Sequence, residues 1–452
     1  MPSIADDAAA HFHELLAEGW PAVNETLLRG TAAGAISFLG RPVVRALRPL
    51  FVGAREYVDG CRAATLIGRA VNRLARRLAN DPDLRRALRL DPLQERLVAA
   101  EADPEPMVAR IDGFLTDDGT LRVLEYNPIP FGTVFSQAAA EMFAAMPIME
   151  LHRRRFPARF VPTAERLIET LARVHARRGR GARRLPNVAV VMGAVGAARV
   201  AETEGAHMMT LVARAGAALR EVAAESIVRD ANGLRAGDFP IDCLTFGDND
   251  ELLRQLPEGH PVWAALSEGE VWLFGALAAT ALHGNKCLLA LMSDPGNAAW
   301  FSTEEREAIH RHLPWTRIVG EAATGRPGEA VAPVDSLRRD RERLVLKPAT
   351  DFGGRGVVLG WRASAAEWEA ALDAAVRSPY VVQERVPNRV ERFPFAEDGG
   401  LRLVECSVDF NPFLWNGEAC DGVLARVSRE ALLNITAGGG SLVPVMILES
   451  SS

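Results

Sequence analysis

Cysteine is scarce and scattered. Cys61, Cys243, Cys287, Cys406 and Cys420 are odd in number and contain no C-x-x-C pair, which argues against a disulfide framework or a zinc knuckle and points to a reducing, cytoplasmic setting. The opening residues, MPSIADDAAAHFHELL, carry acids early and lack the basic-then-apolar layout of an export signal. No apolar run approaches the roughly 18 residues of a membrane span, so neither export nor membrane insertion is expected. Positive charge is also in short supply: the formal net charge is -6, and nucleic acid is not expected as a partner. The one basic cluster, residues 173–184, reads as a helix end followed by a solvated linker. There is no G-x-x-x-x-G-K-[ST] loop, no G-x-S-x-G elbow and no H-E-x-x-H pair, which leaves Walker-type nucleotidases, serine hydrolases and zincins without a foothold. His11 and His13, like His310 and His312, stand two apart in helical segments, on different faces, and read as surface or packing residues.

What is present is an ordinary globular composition, 48% hydrophobic and 24% charged, spread over 452 residues. At roughly 150 residues per domain this predicts two to four packed lobes. Residues 1–105 show apolar spacings of three and four, as in VNRLARRLANDPDLRRALRL, and predict a helical N-terminal layer. Residues 106–160 begin with two β-type runs around Asp117-Asp118-Gly119, the turn of a hairpin, and continue into helices. Residues 161–283 contain short apolar runs, PNVAVVMG, IDCLTFG and EVWLFG, with helices between them, and predict an open α/β layer. From 284 to 452 sheet and helix alternate in what reads as a separate α+β lobe, with GRPGEAVAP (325–333) as a flexible connection. The expected class is therefore mixed α/β.

Two segments carry chemistry. In LVLKPATDFGGRGVVLG (344–360) a β-type run ends in Lys347, and a glycine-bearing turn leads into a second run. Such a turn lets backbone N–H groups approach phosphate oxygens without Cβ obstruction, beside a lysine's charge; alone it also suits an ordinary hairpin with a bulge. In VARIDGFLTDDGTLRVLEYNP (108–128), Arg110 and Asp112 stand two apart on one strand, Glu125 and Asn127 two apart on the next. Period-two geometry sends each pair to one side, and hairpin pairing can unite them. Asp112, Glu125 and Asn127 offer the hard oxygen ligands that Mg²⁺ takes, and the planar fork of Arg110 matches a phosphoryl group. The competing reading is an exposed strand face with a surface ion pair.

Taken in order, R-I-D, E-Y-N, N-K-x-x-L-A, L-K-P-x-x-x-x-G-G-R-G and V-V-Q-E resemble the glutathionylspermidine synthase-like, circularly permuted ATP-grasp enzymes. In these the metal-ligand hairpin precedes the nucleotide-binding lysines. The resemblance covers about residues 106–448. It implies an ATP-grasp fold with a Rossmann-like pre-ATP-grasp domain at 161–283 and a nucleotide-binding region at 284–452. It also implies an ATP- and Mg²⁺-dependent carboxylate–amine ligase that works through an acyl phosphate. Carried over residue by residue, Asp112, Glu125 and Asn127 would bind Mg²⁺, and Arg110 would stabilise the phosphoryl-transfer transition state. Lys286 and Lys347 would hold nucleotide phosphates, Gly353, Gly354 and Gly356 would form a lid, and Gln383 to Val386 (with Glu384 between) would read adenine through the backbone. Arg426 would lie near the acyl phosphate, and Asn434 falls in a family-like segment. Read from the residues alone, Lys286 suits a surface helix start as well, Arg426 a strand edge, and Gln383 and Glu384 a strand end. One departure stands out. E-Y-N continues as Pro128-Ile129-Pro130-Phe131-Gly132 rather than into the acidic segment of the glutathionylspermidine synthases, so neither polyamine nor glutathione is implied as a substrate. The partners expected are a small carboxylate and a small amine, free or borne on a carrier protein or peptide. A small-molecule kinase of the same fold and a catalytically silent nucleotide-binding protein stay open as alternatives.

Overall fold

The computed structural model describes residues 3–101, 105–178, 184–192, 204–246, 253, 255–274, 277–320, 331–351, 353–417, 419–431, 433 and 440–449. The chain opens with α1 (Ile4–Ala32), started by a capping box in which Ser3 accepts from the Asp6 N–H and Asp6 reaches back. Next come β1 (Leu50–Gly53) and α2 (Ala54–Asn80), then the ribbon β2 (Val108–Leu115) and β3 (Leu121–Asn127). Helices α3 (Thr133–Ala144) and α4 (Thr163–Arg177) lead to β4 (Asn187–Met192), β5 (Ala218–Ala223), β6 (Cys243–Thr245) and β7 (Trp272–Leu273). The last part runs α5 (Cys287–Met292), α6 (Thr303–His312), β8 (Thr316–Gly320), β9 (Leu344–Pro348), β10 (Val358–Leu359), α7 (Ala365–Arg377) and β11 (Tyr380–Glu384). It closes with β12 (Val390–Glu397), β13 (Gly400–Val408), β14 (Asn411–Trp415), β15 (Ala419–Ser428), β16 (Gly440–Val443) and β17 (Val445–Leu448).

Three sheets matter for the site. The largest is antiparallel, in the order β12-β13-β15-β14-β2-β3, with β16 also paired to β15. A second, in the order Val331–Pro333, β8, β11, β9, β10, carries the glycine-bearing turn at one edge. The third, β7-β6-β4-β5, is parallel throughout, as the short apolar runs of residues 161–283 predicted. Helix α2 packs across β14 and β15 and buries Ala64, Ile67, Gly68, Val71, Leu74, Ala75 and Leu78, a stripe at spacings of three and four. Gly60 and Gly68 let it lie close: a Cβ at Gly60 would sit 2.8 Å from Phe410 Cε1, and one at Gly68 2.6 Å from Leu414 Cδ1. Among the described residues no helix is long and apolar enough to cross a membrane.

The first hundred residues are not wholly helical. β1 pairs in parallel with β17, Leu50 opposite Val445 and Val52 opposite Ile447, so the N-terminal layer is joined to residues 445–448. A four-residue apolar run has no period long enough to separate strand from helix. β12 and β14 were not expected either; each contains a proline, Pro394 and Pro412, which reads against a strand. β12 lies at a sheet edge, where a missing N–H is tolerated. Of the 325–333 connection, 325–330 lie outside the described residues and Val331–Pro333 form a strand. Asn434 lies outside them as well.

Replacing Gly68 by Val should overpack the contact of α2 with β14 and lower stability by about 1–3 kcal/mol. The midpoint of urea unfolding measures it, and an unchanged midpoint would mean that α2 yields without cost.

Candidate active site

The ribbon is paired so that Arg110 faces Asn127 and Asp112 faces Glu125, with a bulge between Asp112 and Gly113. All four side chains therefore share one side. The ribbon is not an exposed face: Arg110 and Asp112 are 8% and 9% exposed. Arg110 holds Asp112 in a fork, Nε donating to Oδ1 at 2.6 Å and Nη2 to Oδ2 at 3.1 Å. From β15, Arg426 Nη2 donates to the same Oδ2 at 2.8 Å, while its Nε donates to Asp409 Oδ2 at 2.6 Å. Asp409 lies between β13 and β14, and its other oxygen takes the Arg426 N–H at 2.5 Å.

The second sheet approaches this cluster through β9 and β11. Lys347 Nζ donates to Gln383 Oε1 at 2.6 Å and to the Leu124 carbonyl of β3 at 3.3 Å. Gln383 in turn donates to Thr316 Oγ1 at 3.1 Å and to the same Leu124 carbonyl at 3.4 Å. Lys286 stands at the start of α5. Its Nζ lies 3.5 Å from Glu125 Oε2 and donates to the Asp351 carbonyl at 2.8 Å, and its N–H donates to the Ala349 carbonyl at 2.9 Å. It is 5% exposed, not a surface lysine. The ribbon, both arginines and both lysines thus occupy one place.

Gly353, Gly354 and Gly356 all have positive φ, at 68°, 76° and 68°, so the turn after Lys347 is built from conformations that other residues resist. A Cβ at Gly356 would also lie 2.7 Å from Pro348 Cγ. Phe352, within the turn, lies outside the described residues. The adenine-reading segment is placed differently from the expectation. Gln383 is fully within the sheet between β8 and β9 and acts through its side chain. The Glu384 N–H donates to the Trp315 carbonyl at 2.8 Å and that of Arg385 to the Arg343 carbonyl at 2.7 Å, so these two N–H groups are taken. Val386, just beyond the strand, is half-buried.

Burial pushes the Asp112 carboxyl up, but the guanidiniums of Arg110 and Arg426 outweigh it and hold the group below the usual carboxylate range. Burial raises Asp409 and is the largest influence on it, with Arg426 opposing. Burial pushes the Lys347 ammonium down to about 8, against the pull of Glu125 and with the repulsion of Lys286. Four cations thus face three carboxylates in a largely dry space, an arrangement that favours an anionic ligand.

Among the described residues no group of three or more His, Cys, Asp or Glu is placed to hold a metal ion. The set on the ribbon is two carboxylates and an amide. Its hard oxygens suit Mg²⁺ with phosphate oxygens completing the shell. Asn127 Nδ2 is buried with no partner, so the amide gains nothing from its nitrogen and is free to turn its oxygen inward. By type these residues suit the ion, with the two Asp112 oxygens also accepting from Arg110 and Arg426.

Asp409 was missed in the sequence because it falls near the end of a β-type run, LRLVECSVDF, with no motif around it. Glu204, at the start of Glu204–Arg214, was missed too. Its carboxylate accepts from the N–H groups of Gly132, Val134 and Phe135, directly behind Arg110.

No protein-family model and no curated sequence matches this chain. Among solved structures, a glutathione synthetase-like effector from Globodera pallida, in its apo form, aligns with a TM-score of 0.61 at 13% identity, over 96% of this chain and 97% of the other. The chain has a glutathione synthetase-like fold. A candidate γ-glutamylcysteine synthetase from Methylobacillus flagellatus aligns at a TM-score of 0.41 and 13% identity, over 84% and 88% of the two chains, too loosely to bear on the fold.

Because Asp112 neutralises the buried guanidinium of Arg110 and the half-buried one of Arg426, Asp112→Ala should cost about 3 kcal/mol of stability at neutral pH. Its folded pKa is depressed, so the contribution is present above about 3.8 and fades as the pH falls below it. Equilibrium unfolding of both forms at pH 7 and pH 3 checks this: the gap should narrow at the lower pH.

Proposed function

We propose that this protein is an ATP- and Mg²⁺-dependent carboxylate–amine ligase, ADP-forming, of the circularly permuted ATP-grasp type. The observation that carries the reading is the meeting of Lys286 and Lys347 with the Arg110–Asp112–Glu125–Asn127 ribbon. The glutathione synthetase-like fold supports it, as does chain order, in which the ribbon at 108–127 precedes the lysines at 286 and 347. The unpaired cysteines agree with work in a reducing cytoplasm.

In this reading Lys286 and Lys347 hold the phosphates of ATP, and the glycine turn covers them. The substrate carboxylate attacks the γ-phosphorus in line, giving an acyl phosphate and ADP. Arg110 and Arg426, fixed by Asp112 and Asp409, face the negative charge that grows on the transferred group; because they are already oriented, little reorganisation is needed when it develops. Asp112, Glu125 and Asn127 would hold Mg²⁺, which supplies charge neutralisation on the phosphate oxygens. A neutral amine then attacks the acyl carbon and expels phosphate, with the ammonium proton passing to solvent or a nearby carboxylate. Closure of residues 353–357 excludes water that would hydrolyse the intermediate. No covalent enzyme intermediate is involved.

The test is ADP release from a panel crossing amino acids and small carboxylates with amines, polyamines and ammonia, followed by mass measurement of the product. ADP formation that requires both an acid and an amine is expected. A phosphorylated product with no amine requirement would indicate a kinase, and tight ATP binding without turnover on any pair a silent nucleotide-binding protein. With an active pair in hand, Arg110→Ala should lower turnover about a hundredfold or more; undiminished turnover would remove its role.

The depressed ammonium of Lys347 gives a pH signature. Below about 8 it is charged and receives phosphate; as the pH rises through that value the free protein loses the proton, and ATP binding must take it back up. Apparent ATP affinity should therefore fall above pH 8, approaching about tenfold per pH unit. Calorimetric titration from pH 7 to 9.5 measures the fall, and Lys347→Met should bind weakly with a flat profile.

A further inference from the structure

The Phe131–Gly132 peptide is gripped at both ends. Its carbonyl accepts from Arg110 Nη1 at 2.9 Å, and its N–H donates to Glu204 Oε2 at 2.6 Å. The other oxygen of Glu204 takes the Val134 and Phe135 N–H groups at 2.9 and 3.0 Å, so one carboxylate covers the first turn of α3 from 70 residues away. Three N–H donors, and among the described residues no other hydrogen-bond partner, suit a carboxylate, which only accepts. Its side chain is buried at 5% exposure. A guanidinium, a peptide and a carboxylate therefore stand in line. Each hydrogen bond polarises the next in such a chain, and charge at both ends strengthens it.

Gly132 makes this peptide mobile in principle. Its φ is 99°, and a Cβ there would lie 3.1 Å from Leu424 Cδ2, so both conformation and space call for glycine. Glycine is at home on either side of φ = 0, and the plane before it can turn over unless something holds its N–H. Turned over, it would present an N–H instead of a carbonyl to Arg110. Two of the three anchored nitrogens of Arg110 are held by Asp112; the third depends on this carbonyl.

We propose that Glu204 is a positioning residue for Arg110, holding the Phe131–Gly132 peptide in the one orientation that completes the guanidinium's grip for phosphoryl transfer. The proposal rests on the ligase reading for its kinetic consequence and on the geometry alone for its structural one. Glu204 touches neither substrate nor nucleotide in this role.

Glu204→Ala and Glu204→Gln test it in the full chain. Gln keeps the volume and one acceptor oxygen, so it serves if the alanine variant does not fold. With an active acid–amine pair, kcat should fall about tenfold or more in either variant, the scale of a small misplacement of a catalytic group, while KM for ATP stays within about twofold. Formate, which can refill the vacated carboxylate place, should restore part of the turnover of Glu204→Ala and do nothing for wild type. Unchanged kcat in both variants, or a loss that appears only in KM for ATP, overturns the proposal. Should wild type turn over no pair at all, the ligase reading fails by itself, and the positioning role is read from nuclear magnetic resonance of ¹⁵N-arginine protein. A displaced Arg110 Nη1 signal in Glu204→Gln upholds the coupling, and an unmoved signal overturns it.

Discussion

The carboxylate of Asp112 accepts from two guanidiniums whose residues are 2 and 314 positions away in the chain. Charges this deeply withdrawn from water are tolerated only in company. Asp112, Arg110, Arg426 and Asp409 form a short alternating row of sign, and no member can be placed without its neighbours. The β2–β3 ribbon, β15 and the turn after β13 must therefore arrive together. The antiparallel sheet that seats them is set in turn by α2, lying close on β14 and β15 where glycines clear its path.

On the side of the second sheet the lysines are held differently. Lys347 has neutral partners, the Gln383 amide and the Leu124 carbonyl, within hydrogen-bonding reach, so its charge is solvated but not cancelled. Lys286 shares its ammonium between a carbonyl and the more distant Glu125. The arginines are thus committed to carboxylates while the lysines stay receptive. In the proposed reading that division leaves the lysines to receive the phosphates of ATP and the arginines, already oriented, to meet the charge of the transferred group. It also explains how a dry pocket keeps positive charge without collapsing onto its own acids.

Much of this was legible locally. The ribbon announced itself through Asp117-Asp118-Gly119 and the two-residue spacing of Arg110, Asp112, Glu125 and Asn127, because a strand's period is short enough to show in seven residues. α2 and α4 showed through their apolar stripes. What stayed hidden was set by distance. Asp409 and Glu204 act on Arg426 and Arg110 through folding that no local pattern encodes, and each sits in an unremarkable stretch. The strands holding Pro394 and Pro412 were obscured because proline's cost depends on whether its missing N–H points at a neighbour, a property of the sheet and not of the segment. Gln383 was assigned to its backbone when its amide side chain is what meets Lys347; a sequence shows the residue but not which of its groups is already spoken for by the sheet.

β1 and β17 pair in parallel, joining residues 50–53 to residues 445–448. A chain emerging from the ribosome presents residues 50–53 long before residues 445–448. Until residues 445–448 have been made, the Leu50–Gly53 segment has an unfilled edge, and α2, which follows it directly, rests on a sheet whose strands are still being made. Contacts of such long sequence separation are the slow ones to form, and a nascent chain that exposes them is vulnerable to association with its neighbours. Without residues 445–448 the N-terminal layer has no seam, so the integrity of that short segment is, for this fold, also the integrity of residues 50–53 and of the helix that follows them.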